Sequence, residues 1–273
     1  MDLRALALAA LTEDIGPGDI TSQSCLPADQ RGRARIFAKQ ALVVSGLAIA
    51  AEVFAARGCA LTRVAADGDS LAHGDDLAHV EGPVQQLLIA ERVALNFMMR
   101  LSGIATHTAS VVAAARDRIR VVDTRKTTPL HRALEKAAVR HGGGYNHRFA
   151  LYDGVMIKDN HIAAVGGITP AVEAVRANAH HLVRIEVEVE NMVQLSEALD
   201  CGADVVLLDN MDDVAIDAAV AMVAGRAVTE ASGNMTAERI RGLAELAHPP
   251  DIVSVGGLIH QARWVDLSMK MMA

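Results

Sequence analysis

Six residues in one stretch of the chain are of types that could hold a multiply charged anion. Thr124, Arg125 and Lys126 are consecutive, His147 and Arg148 are adjacent, and Lys158 lies near the end of the stretch from Asp123 to His161. Seven Lys/Arg face four Asp/Glu there, a local excess of positive charge in a protein of formal net charge −7. A small, highly anionic ligand is the expected occupant of such a cluster. An arginine can grip a carboxylate or phosphate with two parallel hydrogen bonds, while a lysine acts as a point charge. Arg132, Lys136 and Arg140 follow helical spacing and read instead as the charged face of a helix. Thr128-Pro129 reads as the cap and first residue of that helix, which would set free backbone amides beside the cluster. Gly142-Gly143-Gly144 reads as its stop.

Carboxylates form the second group. Glu186, Glu188 and Glu190 fall on one face of a predicted strand, and Asp209 closes the apolar run VVLLD. Acids on a strand face need a polar lumen, solvent or a cation. Glu188 and Asp209 at neighbouring strand ends could hold Mg²⁺ with few direct ligands and several waters. An ion pair with Lys126 or Lys158 is the competing use. Ser232-Gly233 and Gly256-Gly257 come after two late predicted strands and look like phosphate-binding turns. No GxSxG, HExxH or Walker pattern occurs, so the inventory points to electrostatic rather than covalent catalysis.

The elements that must position these groups can be read from the hydrophobic rhythm. Residues 3–12 read as a helix, and EDIGPGDITS as a loop. Alternating short strands at 32–39, 41–45, 60–65 and 77–80 make the first part α+β. After Pro83 a helix runs to a break expected at Ser102-Gly103, with a second helix over 104–116. Glu91 and Arg92 interrupt its apolar character, as a surface salt bridge or as functional groups. Strands are expected at 119–123, 153–157, 183–189, 204–208, 226–230, 251–255 and 265–269, separated by helices. That rhythm implies βα units and a parallel sheet, with polar residues collected at the carboxyl ends of the strands. If the sheet were open and doubly wound, those ends would line a crevice instead.

Bulk composition narrows the function classes. Apolar residues make up 51% and charged residues 22%, as in a globular protein rather than a disordered one. Aromatics are only 3% and the net charge is negative, which speaks against stacking on or general binding to nucleic acid. Cys25, Cys59 and Cys201 are isolated, which fits a reducing cytoplasm without a disulfide framework. No signal peptide and no transmembrane span is expected, so no membrane partner is either.

With these residues laid out, the sequence resembles the quinolinate phosphoribosyltransferases, also called carboxylating nicotinate-nucleotide pyrophosphorylases. The resemblance covers nearly the whole chain, through EDIGPGDITS, ERVALNFMMRLSGIAT, DTRKTTP, LEKAAVRHGGGYNHR, LYDGVMIKDNHI, IEVEVEN, VLLDNM, EASG, SVGGLIH and VDLSMK. It implies an α/β fold in which an incomplete, TIM-like parallel α/β barrel (104–262) is preceded by a smaller α/β sandwich domain (1–103, joined by the tail 263–273). The implied reaction joins quinolinate to 5-phosphoribosyl-1-pyrophosphate with Mg²⁺ and yields nicotinate mononucleotide, pyrophosphate and CO₂. The implied assembly is a cytoplasmic homodimer with shared active sites, possible higher oligomers being left open. In it Arg92 is lent across the interface. Arg125, His147 and Arg148, with Thr124 nearby, would hold the quinolinate carboxylates. Lys126 and Lys158 would face both substrates, and Glu188 and Asp209 the ribose and metal. Lys126, Lys158, Glu188 and Asp209 form the implied catalytic set. Ser232, Gly233, Gly256 and His260 would hold the donor's phosphates. The chain departs from the family pattern at Leu130, where Gly is usual, at Ala137, usually aromatic, and at Asn234, usually Gly; Ile259 and Gln261 stand where Thr and Ser are usual. Two other readings are a molybdate-operon accessory protein of the same fold and a non-catalytic phosphate-binding barrel.

Overall fold

The computed structural model describes residues 2–272, which divide into two compact units. In chain order the first elements are α1 (Leu3–Ile15), α2 (Ile20–Cys25), β1 (Arg31–Ala38), β2 (Leu42–Val43), α3 (Leu47–Ala55), β3 (Ala60–Arg63), β4 (Ser70–Leu71), β5 (Asp76–Pro83) and α4 (Val84–Ala114). Next come β6 (Arg120–Val122), α5 (Arg132–His141), β7 (Val155–Ile157), α6 (Asp159–Val165), α7 (Ile168–Asn178), β8 (Ile185–Val189) and α8 (Met192–Asp200). The last are β9 (Val205–Asp209), α9 (Asp213–Val223), β10 (Val228–Ser232), α10 (Ala237–Leu243), β11 (Ile252–Ser254), α11 (Gly257–His260) and β12 (Leu267–Met271).

The first unit comprises residues 2–109, 128–143 and 261–272. Its sheet runs β12-β1-β5-β3, all pairs antiparallel. β1 alternates as its sequence suggests: Ala34, Ile36 and Ala38 are fully buried, while the Arg35 guanidinium lies over the Phe37 ring on the other face. Phe54, Leu47 and Ile49 of α3 and Leu87, Leu95, Met98 and Ile104 of α4 complete a core without solvent access. Each such side chain contributes roughly 1.5–3 kcal/mol.

Four expectations are corrected here. The loop expected over EDIGPGDITS gives way at Ile20 to α2, which Asp19 caps through Thr21 and Ser22. The helix after Pro83 does not break at Ser102-Gly103; α4 is continuous over 31 residues. Gly103 is there because a Cβ would lie 2.1 Å from the Arg263 carbonyl oxygen, so the returning chain crosses the helix at that point. Ser102 meanwhile accepts the Ser45 amide and donates to its carbonyl. The strand expected at 265–269 is β12, which pairs antiparallel with β1 and belongs to the small sheet. Finally, Thr128 does not cap α5. Its amide and hydroxyl both donate to Glu135, at 2.7 and 2.9 Å, and α5 starts only at Arg132, after His131. Glu135, within α5, is buried and also accepts from Arg100 at 3.0 Å, so the donors of Thr128 are taken by a side chain of the helix rather than serving as its cap.

The second unit comprises residues 110–127 and 144–260. Its six strands are all parallel, in the order β6-β11-β10-β9-β8-β7. That is two strands short of a complete eight-stranded barrel. One face is apolar: Val187, Val189, Val206, Leu208, Ala231 and Val253 are buried, as are Ile168, Leu195, Ile216, Ile240 and Leu243 from the helices. By register the opposite face carries Glu186 and Glu188 of β8, Leu207 and Asp209 of β9, Glu230 and Ser232 of β10, and Ser254 of β11. A segment over residues 145–154 bridges the two end strands. Tyr145 pairs in parallel with Val122 beside β6, and the Arg148 guanidinium donates to the Gly154 carbonyl, at 3.0 Å, next to β7.

Candidate active site

Every site residue read from the sequence except Arg92 lies in the second unit. Arg92 is exposed on α4, and among the described residues it forms no ion pair. At the end of β6, Asp123 is fully buried and organises the chain on both sides of the site. Its carboxylate accepts from Asn146 Nδ2 at 2.6 Å and from the His147 amide at 2.9 Å. Thr124 Oγ1 accepts the Lys126 amide at 3.0 Å, fixing the turn that exposes Arg125 and Lys126. The Lys126 side chain lies over Gly256 at the end of β11, where a Cβ would sit 3.0 Å from its Cδ.

Arg148 is half-buried. Its pKa is pushed below the ordinary arginine value, chiefly by burial and next by the charge of Arg125, with Glu186 and Asp153 acting the other way. Two guanidinium groups that feel each other's repulsion form a site that an anion would relieve. Asp153 accepts the Phe149 and Ala150 amides at 2.6 and 2.8 Å, which shapes the return of this loop. After β7, Lys158 Nζ donates to Glu188 Oε2 of the adjacent β8 at 3.0 Å, so the ion-pair reading of Glu188 holds, with Lys158 as the partner. The Lys158 amide donates to His161 Nδ1 at 3.0 Å, which makes His161 the brace of the first turn of α6.

The ends of strands β9 and β10 are tied together by hydrogen bonds. Asp209 accepts from Asn210 Nδ2 at 2.6 Å, and the Asn210 amide donates to the Ser232 carbonyl at 3.1 Å. Gly233 has φ +96°, and a Cβ on it would lie 2.2 Å from Asn210 Oδ1. Asn234, where the resemblance leads one to expect Gly, has φ +49°, a left-handed conformation that Asn tolerates. Arg239 of α10 ties both turns together: it donates to the Gly233 and Met211 carbonyls, each at 2.6 Å, and to Asp213 at 2.9 Å. His260 is exposed at the end of the short α11, and no contact joins it to the other site residues among those described.

Sequence reading missed the interior of the site. His147 Nε2 lies 3.2 Å from Glu186 Oε2 and 3.6 Å from Glu230 Oε1. Strands β8 and β10 are not neighbours, so in a flat sheet they would stand about 10 Å apart. One nitrogen reaches both acids because their side chains lean toward each other across β9. Burial and the charge of Glu186 raise the Glu230 pKa to about 7, against the opposing effects of His147, Ser254 and Lys158. The sequence signal was the alternation of IEVEVE and the Glu that opens EASG. Asn146 and Arg239 carried no local signal of their own.

A parallel α/β sheet whose strand ends gather arginines and lysines near carboxylates is an arrangement suited to multiply charged anions. Residues 19–102 match the N-terminal domain of quinolinate phosphoribosyl transferase, and residues 104–270 match its C-terminal domain. A probable nicotinate-nucleotide pyrophosphorylase [carboxylating] from Bacillus subtilis is 44% identical, over 98% of this chain and 93% of its own length. Quinolinate phosphoribosyltransferase [decarboxylating] 1b from Nicotiana tabacum is 36% identical, over 98% of this chain and 82% of its own. The crystal structure of NadC from Streptococcus pyogenes superimposes with a TM-score of 0.94 at 43% identity, covering 99% of this chain and 96% of that one. The chain belongs to the quinolinate phosphoribosyl transferase family.

Proposed function

We propose that this protein transfers the phosphoribosyl group of 5-phosphoribosyl-1-pyrophosphate to quinolinate, with decarboxylation, to give nicotinate mononucleotide, pyrophosphate and CO₂. The observation that carries this reading is that Arg148, within the field of Arg125, and the Lys158–Glu188 ion pair gather at the carboxyl ends of the same parallel sheet. Quinolinate brings two negative charges and the donor brings more, so cationic groups must offset their repulsion before they meet. Arg125 and Arg148, with Thr124, hold the acceptor carboxylates; His147, expected from the resemblance to join them, has both ring nitrogens turned to protein groups and shapes the floor of the site instead. Lys126 and Lys158 lie between acceptor and donor. The turns at Ser232-Gly233 and Gly256, with His260, take the donor phosphates.

The ring nitrogen bonds to C1′ as the bond to pyrophosphate breaks. Glu188 and Asp209 stabilise the positive charge that develops on the ribose. The ring nitrogen is then cationic and accepts the electrons released when the adjacent carboxylate leaves as CO₂; a proton takes its place. Mg²⁺ suits the two acids, which lie on one face of adjacent strands β8 and β9. Such an ion needs only one or two carboxylates besides phosphate oxygens and water. Glu188 and Asp209 would hold the ion, which when bound would supply charge to neutralise the pyrophosphate.

The reading includes a cytoplasmic homodimer in which Arg92 completes the partner's acceptor site. No helix among the described residues is long and apolar enough to cross a membrane. Purified protein supplied with quinolinate, donor and Mg²⁺ should release CO₂ and form nicotinate mononucleotide; folded dimer without product would overturn the assignment. Arg92→Ala and Lys158→Ala should each be nearly inactive, and mixing them should restore activity in hybrid dimers. Exchange of subunits without recovery would show that the site is not shared.

A further inference from the structure

The proposed chemistry leaves unused two acids beneath the acceptor site. Glu186 and Glu230 are 6% and 3% exposed, and in each Oε1 is buried without a hydrogen-bond partner. Both face His147 Nε2. His147 Nδ1 accepts the Arg148 amide at 2.7 Å, so the proton of the neutral ring sits on Nε2 and points at the acids. Metal coordination is the obvious alternative for a histidine and two carboxylates with ligand atoms within 4.8 Å of one another. It would require a lone pair on Nε2 and hence a proton on Nδ1, where the Arg148 N–H already points. The occupant that fits is a proton.

We propose that Glu230 is a positioning residue that carries a proton at the floor of the acceptor site, and that with Glu186 it holds His147 as the Nε2–H tautomer. The inference rests on quinolinate being the acceptor. Two charged carboxylates under a site for a dianion would repel it, whereas one charge and one proton do so less. The groups facing Glu230 are Glu186 from β8, His147 from the bridging segment, Ser254 from β11 and Lys158 after β7; its partner in register on β9 is the apolar Leu207. With a pKa of about 7, Glu230 loses its proton as the medium becomes alkaline. The Michaelis constant for quinolinate should therefore rise, though quinolinate itself does not titrate there.

The test compares wild type, Glu230→Gln and Glu230→Ala between about pH 6 and about pH 8.5. The wild-type KM for quinolinate should rise on the order of tenfold over that range. Glu230→Gln, the isostere of the protonated acid, should hold its low-pH KM throughout. Glu230→Ala, which leaves only Glu186 to meet His147 and opens a gap beside it, should show a raised KM at every pH. Nitrogen NMR of His147, which needs no turnover, should report the Nε2–H tautomer in wild type and Glu230→Gln. Equal pH dependence in wild type and Glu230→Gln, or an Nδ1–H ring, would overturn the proposal. So would stoichiometric Zn²⁺ binding to wild type that Glu230→Gln abolishes. A protein with the expected tautomer and no quinolinate activity would instead count against the proposed function.

Discussion

Leu130 stands where the family resemblance leads one to expect glycine, and its backbone is one that favours glycine. Its φ is +67°, in the left-handed region, and its side chain is 81% exposed. A non-glycine residue in that region carries roughly 1–2 kcal/mol of steric cost, and the exposed leucine regains little by burial. Glycine would remove the strain but lose more chain entropy on folding, roughly 0.5–1 kcal/mol at an ordinary position. The informative comparison is therefore between Leu130→Gly and Leu130→Ala, since alanine keeps the strain and removes the leucine side chain. The glycine variant should be the more stable of the two by about 1 kcal/mol. In a protein of this size that corresponds to a Tm difference of roughly 2–4 °C. Denaturant and thermal unfolding of the two variants, run side by side, read it directly. At a position with negative φ the order would be reversed, with alanine the more stable. An alanine variant equal to or more stable than the glycine variant would refute the left-handed assignment and the strain argument with it.

Two further perturbations test the site. Gly233→Ala must displace Asn210, because the new Cβ would lie 2.2 Å from its Oδ1. It should raise the KM for the phosphoribosyl donor at least tenfold while changing that for quinolinate much less; equal effects on both would separate the turn from phosphate binding. Glu230 should also leave a mark on stability. Its pKa is raised from 4.5 in the ordinary state to about 7 in the fold, so between those values the folded protein holds a proton that the unfolded chain has released. Stability from this group is full below about pH 4.5 and is lost as pH rises through 7, by about 3 kcal/mol. Denaturation of wild type and Glu230→Gln across that window should show the variant gaining on wild type as pH rises, and parallel curves would contradict it.

Much of the second unit was legible in the sequence because its signals are local. Alternation in IEVEVE places Glu186 and Glu188 on one face, and the charged residues that end the strands do collect at one rim. What stayed hidden depends on contacts distant in sequence. Gly103 looks like a helix break until Arg263 is seen crossing it, and Thr128 looks like a cap until Glu135 takes its donors. Lys158 rather than Lys126 pairs with Glu188, and register alone does not choose between them. The meeting of Glu186 and Glu230 at His147 needs strands on either side of β9 to lean together. Arg239 is one of several polar residues on α10, and its grip on two carbonyls comes from where that helix is docked.

The segment over residues 145–154 has a bearing on solubility. A parallel sheet that stops at six strands presents two edges, and uncovered edges are templates for pairing with another chain. Tyr145 takes up the β6 edge, with Arg120 4.6 Å from the centre of its ring, and Arg148 is anchored beside β7. The stretch that presents His147 and Arg148 is thus also a guard of the β6 edge. Mutations that loosen it would be selected against twice, once for lost binding and once for aggregation. Directed changes of acceptor specificity in this segment should be screened for soluble yield before activity is compared.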